Sequence, residues 1–250
     1  MIRTKGIVLS GIKYKESSKI LKVYTKELGK ISIMAQGVMK PKSQYLSSTE
    51  IFSISDFQLK KGKSFYYIES CDLDESNYTL RQDMDKMILG FYVMELIDKS
   101  IPDEEENNII FDLLLKTIKV MTITENPLLV SLSFQLKFAS FLGYRPVLLN
   151  CSSCDTRSSS YWEFHPDKGG IVCEACSRRS GREISGLEIS ILNKLLLSTF
   201  EEISEYKIDP IILTKLHGII SDYLLYNLDR KEFKSLLLLE QINHAKRPNS

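Results

Sequence analysis

Histidine is scarce in this 250-residue chain, which has three in all, and tryptophan occurs once. The histidines stand as His165-Pro-Asp, His217-Gly-Ile and His244-Ala-Lys, so neither H-E-x-x-H nor an H-x-E ahead of P-C-x-x-C is present. A G-x-x-x-x-G-K-[ST] phosphate loop and a G-x-S-x-G elbow are also missing. Without these frameworks no catalytic centre is expected, and the chain reads as a non-enzyme. Acidic runs such as Asp103 to Glu106 and Glu201-Glu202 read as helix-terminal or solvated charge. No uncharged apolar run approaches the roughly 18 residues of a bilayer span. No apolar h-region follows Met1-Ile2-Arg3-Thr4-Lys5, so a cytoplasmic location away from membranes is expected. Internal repeats and long low-complexity segments are lacking too, and residues 245–250 are expected to fray.

Cysteine is sparse as well, but its placement is informative. Four of the five cysteines form two Cys-x-x-Cys pairs, Cys151-Ser-Ser-Cys154 and Cys173-Glu-Ala-Cys176, separated by eighteen residues. This spacing suits one structural zinc ion held by four thiolates, a closed tetrahedral shell with no position left for chemistry. A disulfide framework would require an oxidising compartment, which the missing h-region argues against. His165, between the pairs, is an alternative fourth ligand in a set of three cysteines and one histidine. Asn150 and Val172, not proline, precede the two pairs, which removes the deaminase signature at that end also. The remaining cysteine, Cys71, reads as a semi-buried thiol at a strand end.

The net charge of +1 conceals a division along the chain. Residues 1–63 hold 13 Lys/Arg against 4 Asp/Glu, and the remainder 20 against 28, which reads as a basic head on an acidic body. The head alternates with the period of β-structure. Ile7-Val8-Leu9, Ile20 to Tyr24, Lys30 to Ala35, Glu50 to Leu59 and Phe65 to Ile68 are short and rich in β-branched or aromatic residues, with Gly11, Gly29, Gly37 and Gly62 between them. Five strands in some 75 residues suit a small closed barrel, which removes exposed edges; an OB-fold leads, and an SH3-like barrel would give a similar pattern.

Beyond Asp74-Glu75 the period becomes helical. Met84, Met87, Ile88, Phe91 and Ile97 define one helix, and Pro102 followed by Asp103 to Glu106 is expected to break it and open a second through Ile110, Leu114 and Met121. A third starts near Pro127 and ends at Gly143. Ser185-Gly-Leu-Glu188 is a capping box, and Asp209-Pro210 starts another helix. The expected fold is therefore α+β: a five-stranded OB-fold over residues 1–78, then a helical domain over 79–250 carrying an inserted four-cysteine zinc module at about 148–180.

The head's lysines interleave with tyrosines, a pattern suited to single-stranded nucleic acid, since cations offset phosphates and aromatic faces stack on unpaired bases. Lys13, Lys15, Lys19, Lys22, Lys40 and Lys42 are the expected phosphate contacts, and Tyr14 and Tyr45 the expected stacking residues. The same lysines would also serve to solvate a small barrel. Gly37-Val-Met-Lys40-Pro41-Lys42-Ser43 adds a loop with glycine, proline and two lysines after a strand, placed to grip a phosphate chain.

Three blocks together resemble a known family. Tyr14-Lys-Glu16-Ser17-Ser-Lys-Ile20-Leu21, then Tyr24-Thr25-Lys-Glu-Leu-Gly29-Lys30 and Ala35-Gln-Gly37-Val-Met-Lys40-Pro41-Lys42-Ser43, are similar to the amino-terminal signature of RecO, the bacterial recombination mediator. The likeness continues through Phe134 to Leu148 into Cys151-x-x-Cys154, then Gly169-Gly170-Ile-Val-Cys173-x-x-Cys176, and covers most of the chain. Resemblance to RecO implies an amino-terminal OB-fold, a helical domain and a zinc-binding insertion whose cysteines some members lack. It implies binding of single- and double-stranded DNA, annealing of complementary strands, and loading of RecA, with RecR and often RecF, onto strands coated with single-strand-binding protein. It further implies a site on the helical domain for the carboxy-terminal tail of that protein, RecR contacts through the amino-terminal domain, and a cytoplasmic, nucleoid-associated setting. Arg178, Arg179, Arg182, Lys215, Lys231 and Lys234 are cations available to such a tail, and also ordinary surface charges. Two other classes remain: a zinc-dependent nuclease or deaminase, which the closed ligand set disfavours, and a zinc-containing DNA-binding transcription regulator. The latter would need a basic recognition helix, where Cys176-Ser-Arg178-Arg179 offers a short basic tail.

Overall fold

The computed structural model describes residues 1–203 and 205–246, with side chains to 242; the part of the expected frayed tail at 247–250 lies outside the described residues. Two compact units divide the chain, Met1–Thr122 and Ile123–Ser250.

In the first unit, β1 (Ile2–Tyr14), β2 (Ser18–Thr25), β3 (Gly29–Ala35), β4 (Ile54–Lys61) and β5 (Tyr66–Glu75) close a barrel in the order β1-β2-β3-β5-β4. All neighbours are antiparallel except β3 and β5, which meet in parallel at Ile33↔Tyr66 and Met34↔Tyr67. This is the OB-fold. Because strand side chains alternate, Val8, Leu21, Val23, Ile31, Ile33, Phe57, Leu59 and Tyr66 point inward and form one core, and truncating the fully buried Phe57 to alanine should cost about 3–5 kcal/mol. Cys71 lies in this core, and burial pushes its thiol up to about 11. A register shift between Val8 and Ser10 bends β1, which lets this 13-residue strand pair with β4 along its first half and β2 along its second.

Helices α1 (Tyr78–Gln82), α2 (Met84–Ser100) and α3 (Asn108–Ile123) follow. Asp83 caps α2 by accepting from Asp85 N and Lys86 N. The acidic run does not open α3 as its sequence suggests. Instead Asn107 Oδ1 accepts from Ile110 N, and the first turn of α3 holds no acid. Asp103 and Glu104 turn back onto the barrel, where Lys30 lies 3.2 Å from Asp103 and Lys61 lies 3.0 Å from Glu104. Ion pairing with available cations has outweighed the helix-terminal preference, and Gly29 permits the approach. It sits at φ +64°, and a Cβ there would overlap the Glu105 carbonyl.

The second unit is built on α4 (Pro127–Phe141) and α7 (Pro210–Asn227), with α5 (Gly186–Leu197), α6 (Phe200–Ile203) and α8 (Lys234–Lys246). Residues 245 and 246 of the expected frayed tail thus close α8. The capping box at the start of α5 forms in full, Asp209 caps α7, and Gly143 at φ +87° follows α4. Between α4 and α5, residues 142–185 form the cysteine module around a three-stranded sheet, β7 (Gly170–Cys173), β6 (Trp162–His165) and β8 (Arg182–Glu183). Its Phe164 meets Tyr223 of α7 edge to face at 5.4 Å, which seats the module on the helices.

Charge divides differently from the sequence-level picture of a basic head and an acidic body. Residues 64–122 carry 5 Lys/Arg against 13 Asp/Glu, and they pack with the barrel. The first unit therefore holds 18 cations against 17 acids and the second 15 against 15. The acidic surplus is a neighbour of the basic strands, not a property of the helical unit.

Candidate metal centre and nucleic-acid interface

The two Cys-x-x-Cys pairs converge. Hairpin β6–β7 pairs Trp162 with Cys173, and Ser152 N donates to the Ile171 carbonyl at 2.8 Å, which draws the first knuckle against the second. A Cβ on Gly170 would overlap the Val147 backbone, so glycine is needed for the close approach just before the first pair. The four sulfurs of Cys151, Cys154, Cys173 and Cys176 all lie within 4.8 Å of one another, and Cys154 and Cys173 are 3.6 Å apart. A tetrahedral shell with bonds of about 2.3 Å sets its sulfurs about 3.8 Å apart, so these four can hold a metal ion. Burial alone would raise the Cys151 thiol, but N–H groups of Cys173, Ser153 and Cys154 hold it down at about 6. The Cys154 thiol, lowered by the Thr156 backbone, is raised overall by the neighbouring sulfurs, which also push the Cys176 thiol up to about 12, so without a metal the four share protons. Among the described residues this is the one such cluster, and His165 is outside it. His165 Nε2 instead faces the buried Glu163 carboxylate at 2.9 Å. That carboxylate also accepts from Ser177, Tyr161 and Gly181; burial would raise it, yet these donors hold it at about 2.

The expected DNA contacts separate into two groups. Lys13, Tyr14 and Lys15 form the exposed end of β1 and its turn. Gly37 N donates to Ser18 Oγ at 3.2 Å and Met39 N to the Ser17 carbonyl at 2.9 Å, which lays the loop bearing Lys40 and Lys42 against that turn. Lys13, Lys15, Lys40 and Lys42 are exposed and make no ion pair among the described residues, and Lys15 lies 5.5 Å from the centre of the Tyr14 ring. Lys19 and Lys22 do not share that freedom. Lys19 pairs with Glu50 at 2.7 Å and Lys22 with Asp98 at 2.8 Å. The Asp98 carboxyl is raised by burial but lowered more by Lys22, Lys30 and Lys99, so it stays below its ordinary value. Tyr45 is half buried against the barrel core, with its hydroxyl 3.5 Å from the Glu69 carbonyl.

The face of β2 and β3, which carries ligands in many OB-folds, is partly covered within the unit. Tyr24 is fully buried against Phe111, and Lys30 Nζ donates to the Ile101 carbonyl at 2.6 Å at the end of α2. What remains open is a row that sequence reasoning missed. Strand register aligns Ile12, Ile20, Met34 and Tyr67 across β1, β2, β3 and β5, with Lys60 next in line on β4. Their inward neighbours Leu21, Ile33 and Tyr66 are in the core, so the row lies on the outer face, but it is open at its ends only: Ile12 is 68% exposed and Tyr67 36%, while Met34 between them is buried. The β4–β5 turn adds Lys63, exposed like Lys60, and neither makes an ion pair among the described residues. The sequence signal was the Lys60-Lys-Gly-Lys63 run itself.

Together these define an α+β protein that joins an OB barrel with an exposed cationic edge to a helical unit carrying a four-thiol metal knuckle. Residues 1–77 match the family model for the amino-terminal domain of recombination protein O, and residues 81–237 match that for its carboxy-terminal domain. The chain is 34% identical over 245 residues to the DNA repair protein RecO of Alkaliphilus metalliredigens, an alignment covering 97% of this chain and 100% of that protein. It is 30% identical over 247 residues to that of Pelotomaculum thermopropionicum (98% and 96% covered), and 26% identical over 250 residues to that of Acetivibrio thermocellus (98% and 98%). The chain belongs to the RecO family, and its role is that of a recombination mediator in DNA repair. No described helix is long and apolar enough to cross a membrane.

Proposed function

We propose that this protein binds single- and double-stranded DNA through its barrel, anneals complementary strands without turnover, and acts with RecR, and with RecF where present, to load RecA onto DNA coated with single-strand-binding protein. It would do so in the cytoplasm at the nucleoid. The observation that carries this reading is the joining of two unpaired lysine groups, Lys13 with Lys15 and Lys40 with Lys42, by the Met39–Ser17 hydrogen bond. Mutual repulsion of two polyanions is the main obstacle to first base pairs, and a cluster of four lysines without ion-pair partners, which outnumber the single acid Glu16 of their turn, lowers it. Tyr14, Ile12 and Tyr67 supply apolar faces for unpaired bases. Lys19 and Lys22 act chiefly in holding the barrel together.

Zinc is the ion we assign to the four thiols, because a closed tetrahedral set of four sulfurs on two Cys-x-x-Cys knuckles is the donor set of structural zinc sites. At the level of evolutionary domains we place the boundary near residues 78–79, where the family matches divide. For the carboxy-terminal tail of single-strand-binding protein, the second unit offers an apolar groove of about 620 Å³ lined by Leu187, Ile191, Leu195 and Ile212, with Lys194 and Lys207 and also Glu205 and Asp209 at its edge. Such a lining suits apolar side chains, with the two lysines as the partners for a terminal carboxylate. The test of the mediator role is RecA filament formation on protein-coated single strands, followed by RecA's ATP hydrolysis. Addition of this protein with RecR should remove the lag; a lag unchanged by both would overturn the role.

A further inference from the structure

Arginines 178 and 179 are adjacent cations on one turn of the second unit, where several other cations are paired. Arg182 is paired with Asp222, Lys215 with Glu188 at 2.8 Å, and Lys168 lies 3.8 Å from Asp167. Arg178 is exposed and makes no ion pair among the described residues, and Arg179 has one weak partner, Glu174 at 3.5 Å, with both side chains at least half exposed.

The turn that carries them is fixed from beneath. Glu163, 2% exposed, accepts from Ser177 Oγ at 2.5 Å and from Gly181 N at 3.2 Å, and so holds both ends of the turn with one carboxylate. Tyr161 donates to the other carboxylate oxygen at 2.9 Å, and the Arg179 guanidinium lies 4.3 Å from the centre of the Tyr161 ring. Arg179 itself sits in the left-handed region at φ +57°, with its N–H donating to Ser177 Oγ at 3.0 Å. Non-glycine residues adopt that conformation where surrounding contacts impose it. The module thus fixes the backbone that presents adjacent guanidinium groups, and its ordering cost is met before any ligand arrives.

We infer that the turn at 177–181 is a second phosphate-binding site, which holds one nucleic-acid strand while the barrel edge holds another. Guanidinium groups pair with phosphate oxygens through two parallel N–H donors, which suits a backbone contact that is independent of sequence. Two strands held on one protein would make annealing effectively intramolecular, and the exposed cationic edge of the barrel accounts for one. The inference therefore rests on the annealing reading, and it assigns a role to a part of the metal module that zinc binding alone leaves unused.

The experiment is native mass spectrometry of the full-length, zinc-loaded protein with two non-complementary oligothymidylates of different mass, each about 8 nucleotides, within the site size of a single OB-fold. Wild type should carry two strands per chain. Arg178→Ala/Arg179→Ala should carry one, with its affinity for the first strand within about twofold of wild type and that for the second reduced at least tenfold. Arg178→Ala alone guards against disturbance of the turn, since its side chain has no ion-pair partner to lose; it should show a partial loss of the second strand. Arg178→Lys/Arg179→Lys, which keeps the charge, should recover most of the binding. Zinc content is measured on every variant. Two strands bound by the double alanine variant, or one by wild type, would overturn the second site while leaving the barrel site standing. If the double variant keeps both strands but loses an acidic peptide bound by wild type, the turn serves a protein tail and the inference fails. No strand bound by wild type would instead overturn the DNA-binding reading itself.

Discussion

The backbone N–H of Met39 donates to the Ser17 carbonyl at 2.9 Å, and this contact brings Lys40 and Lys42 to the same end of the barrel as Lys13 and Lys15. Residues more than twenty positions apart in the chain thereby form one cationic edge. Ion pairs with Glu50 and Asp98 remove Lys19 and Lys22 from it.

Charge reversal on that edge should weaken DNA binding without unfolding the barrel. Lys40→Glu/Lys42→Glu should lower the affinity for single strands and reduce the slope of log affinity against log salt by about 2, one for each lost phosphate contact. Fluorescence anisotropy over a salt series measures both. An unchanged slope would remove these lysines from the interface.

Lys19→Ala and Lys22→Ala should behave in the opposite way. Each breaks a half-exposed ion pair, so stability should fall by about 0.5–1 kcal/mol in urea titration while DNA affinity stays within about twofold.

Gly29→Ala tests the contact between the acidic segment and the barrel. Position 29 has a left-handed backbone, and a Cβ there overlaps the Glu105 carbonyl. The variant should lose more than about 1 kcal/mol of unfolding free energy. A neutral result would mean that the 103–106 segment moves aside readily.

His217 makes stability depend on pH. It is buried with Nε2 2.9 Å from Ser131 Oγ, and burial pulls its imidazolium down to about 4. As pH falls, the unfolded chain takes up this proton first, near 6.5, so stability is full above that value and is lost as pH drops towards 4. The loss should approach about 1.4 kcal/mol per unit inside this window. A His217→Asn variant should show a flatter profile, read from urea midpoints at successive pH values.

Several features were legible because they depend on local rules. Alternation gave the barrel strands, Ser185 with Glu188 gave the capping box, and the spacing of Cys151, Cys154, Cys173 and Cys176 gave the four-sulfur cluster that could hold a metal ion. Tertiary pairing was not legible. Nothing near Lys19 in sequence announces Glu50, and nothing near Lys22 announces Asp98, seventy-six positions on, so a count of charges could not say which lysines remain available. The acidic run at 103–106 showed the same limit, because a helix-start rule was overridden by carboxylates reaching cations on the barrel. The outward row through Ile12 and Tyr67 needed strand register across four strands, which hydrophobic periodicity does not give.

The metal centre is expected to support the second unit. Removing metal from the zinc-loaded protein with a chelator, or Cys151→Ser, should lower that unit's melting temperature while the barrel's transition is retained, and zinc uptake should weaken as pH falls, because metal binding must displace protons from the thiols. Calorimetry and a colorimetric zinc assay read the two effects.

The most direct test of the account is the annealing rate of complementary oligonucleotides coated with single-strand-binding protein, with and without this protein, across a salt series. Acceleration is expected without ATP, fading as salt rises and largely lost in Lys40→Glu/Lys42→Glu. A folded, zinc-loaded protein that leaves the rate unchanged at every salt concentration would contradict it.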